Sequence, residues 1–419
     1  MFQTIIILFF LLLPPIGYFA TLNFFSVNIP FHDDYTVYLN FLNHFLTAEN
    51  SSFYDLILSQ HNEHRVVFSR VLALGVFYLK SGVDFRLIII LGNIALIGIG
   101  ILFFYIVQKH TSLISLIPAS IFFFQTQSWE NTIWATGAIQ NYYVLLFAFL
   151  SLYLFQSSGI LHLLSSQILA VIACFTSGNG FLIFITMLIR ETAGFFSEKT
   201  PKKHTKLLLS SFTFLLTSLL YFHDYHSPVT HPSLLSSLHD PFSLITYFFI
   251  FLGGYCCSPV LSFLTGIFSV AVFLILIFFN KSPKNILFYY LVFLLLNAFL
   301  AAFTRSSLGI FQALSPRYKI FSILIPVILY LMWILSHKIS IKQIILGTFL
   351  ALFFSLFSYW DALPYMEGRR YYLIEGLKAY IFHNGNLFGP PVSQQNQIMN
   401  DAIKNKIFIP DTKYLRSPS

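Results

Sequence analysis

The chain has 419 residues, of which 57% are hydrophobic and only 10% charged, with 51 Phe and 23 Tyr. A soluble domain carries about 25% charged residues, so this composition excludes a soluble globular protein: there is too little polar surface to cover the apolar surface in water. The formal net charge of +8 does not mark a nucleic-acid-binding protein, because the basic residues fall in short clusters between apolar runs.

A spanning helix needs about 20 apolar residues, and lipid offers the backbone no hydrogen-bond partners, so long continuous apolar runs must be helical. The expected fold class is therefore all-α, a polytopic membrane protein of about eleven transmembrane helices with interfacial helices in its extracytoplasmic loops. Residues 4–24 form the first apolar run, with Pro14-Pro15 inside it. It lacks the basic start and small-residue cleavage site of a signal peptide. Residues 26–86 form a long polar-to-amphipathic first loop. Further spans are expected at 87–107, 112–125, 140–156, 160–176, 180–190, 207–222, 260–279, 285–303, 319–335 and 343–358. The run Phe242–Leu252 is short and ends in Gly253-Gly254, so it is expected to be interfacial or re-entrant. Residues 1–358 thus make a transmembrane domain. Residues 359–419, with Gly-Pro-Pro at 389–391 and the Gln/Asn-rich run Gln394–Asn400, make a short extracytoplasmic C-terminal tail. Cys174, Cys256 and Cys257 lie in or beside apolar segments at no metal-ligand spacing and read as small apolar residues.

Orientation follows from the basic clusters, which favour the cytoplasmic side. These are Lys109, then Arg190 with Lys199, Lys202, Lys203 and Lys206, then Lys281 and Lys284, then Lys338 and Lys342. Placing all of them inside puts the N-terminus inside and the tail outside. It leaves only Glu191 and Glu198 among the acids on the inner face. Chemistry that needs carboxylates belongs on the outer face.

Four constellations on that face can carry chemistry. His32-Asp33-Asp34-Tyr35 sets two carboxylates just past the first span, suited to a general base or a cation ligand. Either acid could instead cap the helix suggested by Val37, Phe41 and Phe45. His61-Asn62-Glu63-His64-Arg65, followed by Arg70, is dense polar chemistry without a full zinc spacing; the plainer reading is a solvated helix start. Thr304-Arg305 and Gln312 to Lys319, including Arg317 and Tyr318, offer guanidinium forks that match phosphate oxygens, or simple snorkelling at the lipid boundary. Glu130, in Gln127-Ser128-Trp129-Glu130-Asn131, is a lone acid beside membrane spans. The His-rich outer loop from His223 to Asp240, which includes His231, could bind metal or sugar, though loops with scattered His usually do neither, and the Asn50-Ser51-Ser52 sequon matters only in a eukaryotic secretory route. Gly178-Asn179-Gly180 and Asn297 are polar interruptions of the kind a translocation path would need.

The acidic pair Asp33-Asp34 after the first helix, the long first loop and the span number resemble the GT-C glycosyltransferase superfamily of integral membrane enzymes. Segments like His61–Arg65 and Gln312–Tyr318 are similar to those of an uncharacterised bacterial subgroup. The family motif commonly reads Asp-Glu with a Tyr four residues after the Asp; here the second acid is Asp34, and Val37 occupies the Tyr position. The resemblance implies a sugar transferred from a polyprenyl-phosphate donor to an extracytoplasmic glycan, lipid or protein acceptor, by an inverting mechanism. It implies a bacterial inner membrane with the active site on the periplasmic side. Asp33 would be the catalytic carboxylate with Asp34 beside it, the two also being the candidate ligands for a divalent cation, Mg or Mn. His32, Glu63, His64, Arg65, Glu130, Arg305, Arg317 and Tyr318 are the candidates for binding substrate and lipid phosphate. Membrane lipid is an expected partner and nucleic acid is not. The competing readings are a lipid-linked glycan polymerase, a flippase or transporter of such glycans, and a non-catalytic scaffold.

Overall fold

A computed structural model describes residues 2–47, 52–195, 201–228, 234–280, 285–383 and 392–415. Lys199, Lys281, Lys284, Glu198, His231, Asn50-Ser51 and the Gly-Pro-Pro at 389–391 lie outside the described residues. Every regular element among the described residues is helical.

Eight helices there are long and apolar enough to cross a membrane. They are α1 (Phe2–Phe25), α2 (Phe85–Val107), α3 (Ala135–Phe155), α4 (Pro201–Phe222), α5 (Pro259–Asn280), α6 (Ile286–Arg305), α7 (Lys319–Ser336) and α8 (Ile341–His383). They match eight of the expected spans. The other three, 112–125, 160–176 and 180–190, are shorter than a bilayer crossing. The first is a 3₁₀ turn, Leu113–Leu116, running into a seven-residue helix, Ile117–Phe123. The second and third are helices Ile160–Cys174 and Leu182–Phe195, of 15 and 14 residues. At 1.5 Å per residue each of these two is roughly 22 Å long, against a hydrocarbon core of about 30 Å. Eight of the expected runs are thus helices long and apolar enough to cross a bilayer, and the other three positions hold shorter helices.

The core lies along α2, α3, α6 and α7. The apolar window of α7 is 72% buried and that of α1 only 11%. The outer helices turn large apolar side chains outward, among them Ile16 on α1, Phe212 on α4, Phe268 on α5 and Phe353 on α8. A soluble protein rarely exposes such continuous apolar faces, but lipid covers them without cost.

The short run expected to be interfacial or re-entrant is the 12-residue helix Pro241–Leu252. It packs on α5 through glycine. A Cβ at Gly253 would sit 2.0 Å from the Ser262 carbonyl, and one at Gly266 would sit 2.0 Å from the Phe249 carbonyl. Only hydrogen fits at these crossings, the small-residue contact by which membrane helices approach closely.

The first loop folds into a π-helix, Tyr35–Asn40, running into helix Phe41–Thr47, then helices Phe53–Leu58 and Val67–Lys80. The last part of the chain packs onto this loop. Helix α8 has 43 residues, roughly 65 Å at 1.5 Å each, so about half of it extends past a 30 Å hydrocarbon layer. Helix Val392–Lys404 then returns against the loop. Asn43 Nδ2 donates to the Ile398 carbonyl at 3.2 Å, and the Val83 amide to the Ile407 carbonyl at 2.7 Å.

Candidate active site

A cavity of about 450 Å³ opens at the end of the bundle where α1 ends and α3 begins. Asp33, Glu63, His64, Glu130, Arg305 and Arg317 line it, and so do His32 and Tyr318. These residues come from five separate stretches of sequence. Of the ten nominated residues, only Asp34 and Arg65 lie outside the lining.

Asp33 and Asp34 are neighbours with opposite placements. Asp34 is 1% exposed. Its Oδ1 accepts the Thr136 amide at 2.9 Å and the Thr136 hydroxyl at 2.6 Å, and its Oδ2 accepts the Phe31 amide at 3.0 Å. Thr136 sits in the first turn of α3, where unpaired amides favour a carboxylate. Asp34 therefore caps α3 across the fold, not the π-helix that follows it, from whose amides its side chain accepts no hydrogen bond. Burial pushes its carboxyl up to about 7, although all three hydrogen bonds favour the ionised form. The Phe31 carbonyl accepts from Trp134 Nε1 at 3.1 Å, closing the same clasp. With the turn pinned, His32 adopts a left-handed φ of 46°, uncommon for a residue with a Cβ. Asp33 is then presented to the cavity with its side chain 36% exposed.

Asp33 Oδ1 lies 3.4 Å from His61 Nε2, and His61 Nδ1 lies 3.3 Å from the Thr36 hydroxyl. Burial alone would raise the Asp33 carboxyl. The hydrogen bond and charge of His61, with His32 and Arg317 nearby, outweigh it and hold the carboxyl below its usual value. Asp33 is an ionised, accessible base. The two carboxylates do not converge on one point. Among the described residues there is no group of three or more His, Cys, Asp or Glu placed to hold a metal ion.

His61 to His64 form a tight turn in which each end's amide donates to the other's carbonyl, at 2.8 and 2.9 Å. Two buried arginines hold the turn from below. Arg65 donates from Nε to the Tyr221 carbonyl at 2.5 Å and from its other nitrogens to the carbonyls of Leu58 and His223. Arg70 donates to the carbonyls of Ile57 and Ser59, at 2.9 and 2.6 Å. Arg65 thus ties the first loop to the end of α4 and does not line the cavity. Replacing it with Ala strands three carbonyls. Hydrogen bonds to a charged group contribute about 1.5–3 kcal/mol each, so Arg65→Ala should lower the thermal unfolding midpoint of detergent-purified protein markedly. An unchanged midpoint would remove this clamp.

Glu63, at the tip of the turn, meets Arg305 at 2.6 Å. His64 Nδ1 accepts the Gly178 amide at 3.2 Å, so the neutral ring carries its proton on Nε2, 3.7 Å from Glu63. Burial lowers the His64 pKa, which favours that neutral ring. Arg305 and Arg317 flank Tyr318, their guanidinium carbons 5.7 and 5.2 Å from its ring centre. Lys319, expected with them at the lipid boundary, points elsewhere. It is 6% exposed and donates to Gln127 Oε1 at 2.6 Å and Cys257 Sγ at 3.0 Å.

Glu130 pairs with Arg369 at 3.6 Å. The Arg369 guanidinium lies 3.6 Å from the centre of the Phe31 ring, and Tyr365 stacks on Trp129 at 5.6 Å. Helix α8 therefore buttresses the cavity wall. Arg369 lies in the stretch 359–419 expected to be a tail, and α8 continues through it, past Pro364 and Gly368, to His383. His61, which opens the His61–Arg65 motif, is a site residue that its sequence spacing does not single out; its contact with Asp33 does. Asn179 and Asn297, flagged as a polar path, bond to each other at 2.7 Å. Comparison with protein-family models, curated proteins and solved structures gives no match to this chain.

Proposed function

We propose that this protein is a membrane glycosyltransferase of GT-C type that uses a polyprenyl-phosphate-linked sugar. The observation that carries the reading is one cavity with an ionised carboxylate, Asp33, and two guanidinium groups, Arg305 and Arg317, at one end of an apolar helix bundle. Asp33 takes the proton from an acceptor hydroxyl. The acceptor oxygen attacks the anomeric carbon as the bond from that carbon to the phosphate oxygen breaks. The electron pair leaves on the polyprenyl phosphate, whose growing negative charge is met by Arg317 and Arg305. Attack opposite the leaving group inverts the anomeric centre. His61 keeps Asp33 charged and oriented.

Eleven crossings, with the three shorter helices completing the bundle, place the N-terminus inside and α8 emerging outside. The contact of Arg369 with Glu130 suits that arrangement, since it needs the end of α8 and the cavity on one side. In a bacterial inner membrane this is the periplasmic side, and the first-loop helices then lie along the interface.

The test is release of polyprenyl phosphate from a synthetic polyprenyl-phosphate hexose by protein in nanodiscs, with cell-envelope extract as acceptor. Release coupled to a single sugar addition supports the transferase. A ladder of longer products supports a lipid-linked glycan polymerase, which would draw on the same arginines. Movement of the intact lipid-linked sugar across vesicles without release supports a flippase.

A further inference from the structure

Helices α2, α3, α6 and α7 run from the candidate active site to the opposite end of the bundle, roughly 30 Å away at 1.5 Å per residue. Two cavities of about 440 and 420 Å³ open there, and they share His110 and Leu335. They form one cleft between the ends of these four helices. Lys109 and His110 follow α2, Asn285 precedes α6, and His337 and Lys338 follow α7. Among the described residues no Asp or Glu lines either half. Lys109 and Lys338 are exposed. Among the described residues no carboxylate lies within ion-pair distance of either. Lys109 Nζ lies over the face of Tyr105, 5.9 Å from the ring centre.

We propose that this cleft is a second binding site, for the phosphate of an anionic lipid. Charge and shape both point to that ligand. Among the described residues the cleft offers two ammonium groups without an ion-pair partner and two imidazoles, with no carboxylate in its lining, so it favours an anion. It also has an apolar side. Ile101, Phe104 and Tyr105 are exposed on α2, the last two within two turns of Lys109. A phosphate held by Lys109 and Lys338 leaves its acyl chains beside those side chains, whereas a free phosphate would leave them unused. Basic residues at the membrane edge attract anionic headgroups in this way. The inference does not depend on the transferase reading, since the site shares no residue with the outer cavity.

The test uses full-length protein purified in detergent. Its thermal midpoint is followed while phosphatidylglycerol, phosphatidylcholine or inorganic phosphate is added, and bound lipid is counted by native mass spectrometry. A ligand that binds only the folded state raises the midpoint with concentration. Phosphatidylglycerol should raise it and remain bound, and phosphatidylcholine should do neither. In Lys109→Glu/Lys338→Glu the phosphatidylglycerol titration should shift by about tenfold or more to weaker binding. Lys404→Glu, at the other end of the molecule, should titrate like the parent. Lys109→Gln/Lys338→Gln gives the same reading if the charge-reversed protein does not fold. If inorganic phosphate alone reproduces the effect, the site takes a soluble phosphate and the lipid assignment fails. Equal responses to the two lipids, or variants that respond like the parent, overturn the site itself.

Discussion

Asp33→Asn should abolish sugar transfer and leave a folded protein, whereas Asp34→Ala should leave little folded protein to assay. A positioned general base contributes typically 10²–10⁴-fold, so the first variant should lose activity on that order with an unchanged unfolding midpoint. Its side chain reaches open cavity, and Asn keeps its size. Asp34 is the reverse case. Its removal leaves the amides of Phe31 and Thr136 and the Thr136 hydroxyl buried without an acceptor, each such loss costing roughly 1–3 kcal/mol. The pH profile separates the two further. Asp33 acts as a base only when ionised, and its carboxyl lies below the usual value, which is about 3.9. Activity should therefore hold on the acid side and fall only below about pH 4. In His61→Ala burial is no longer offset by the imidazole, so that acid limb should move to higher pH. Full transfer by Asp33→Asn would remove this carboxylate from the mechanism.

This pair shows what residue order reveals and what it withholds. In a chain only 10% charged, each charged residue near a span end is either structural or functional. That is why Asp33, Glu63, Glu130, Arg305 and Arg317 could be nominated without coordinates. The choice between structural and functional depends on which backbone groups lie opposite. Asp34 meets the first turn of α3, about a hundred positions later in the chain, and Arg65 meets the carbonyls that end α4. Neither partner carries a side-chain signature, because a backbone amide or carbonyl is the same at every residue. Arg369 was hidden for another reason. A polar segment after the last apolar run looks like a tail, and only the rigidity of α8 carries residue 369 back to Glu130. The long helices were legible because their length matches the bilayer. The runs at 160–176 and 180–190 were legible as helices too, but of only 15 and 14 residues, with bounds that differ from the apolar runs.

Arg317→Gln should cost more transfer activity than any other change among the cavity's cations. Arg305 already has a carboxylate, Glu63, at 2.6 Å. Among the described residues Arg317 has none within ion-pair distance, and its Nε is buried without a partner. A guanidinium whose donors are not taken can grip phosphate oxygens with two parallel bonds. Losing one such electrostatic donor costs on the order of 10²–10³ in rate, expected here in kcat/KM for the lipid-linked sugar. Arg317→Lys keeps the charge and loses the fork, so it should recover only part of the activity. Glu63→Gln should act in the opposite direction on donor binding. The donor phosphate must compete with the Glu63 carboxylate for Arg305, and the amide competes far less well, so the KM for donor should fall. If Arg317→Gln transfers sugar at the parent rate and Arg305→Gln does not, the phosphate belongs on Arg305. Glu63 would then be a residue that donor binding has to displace.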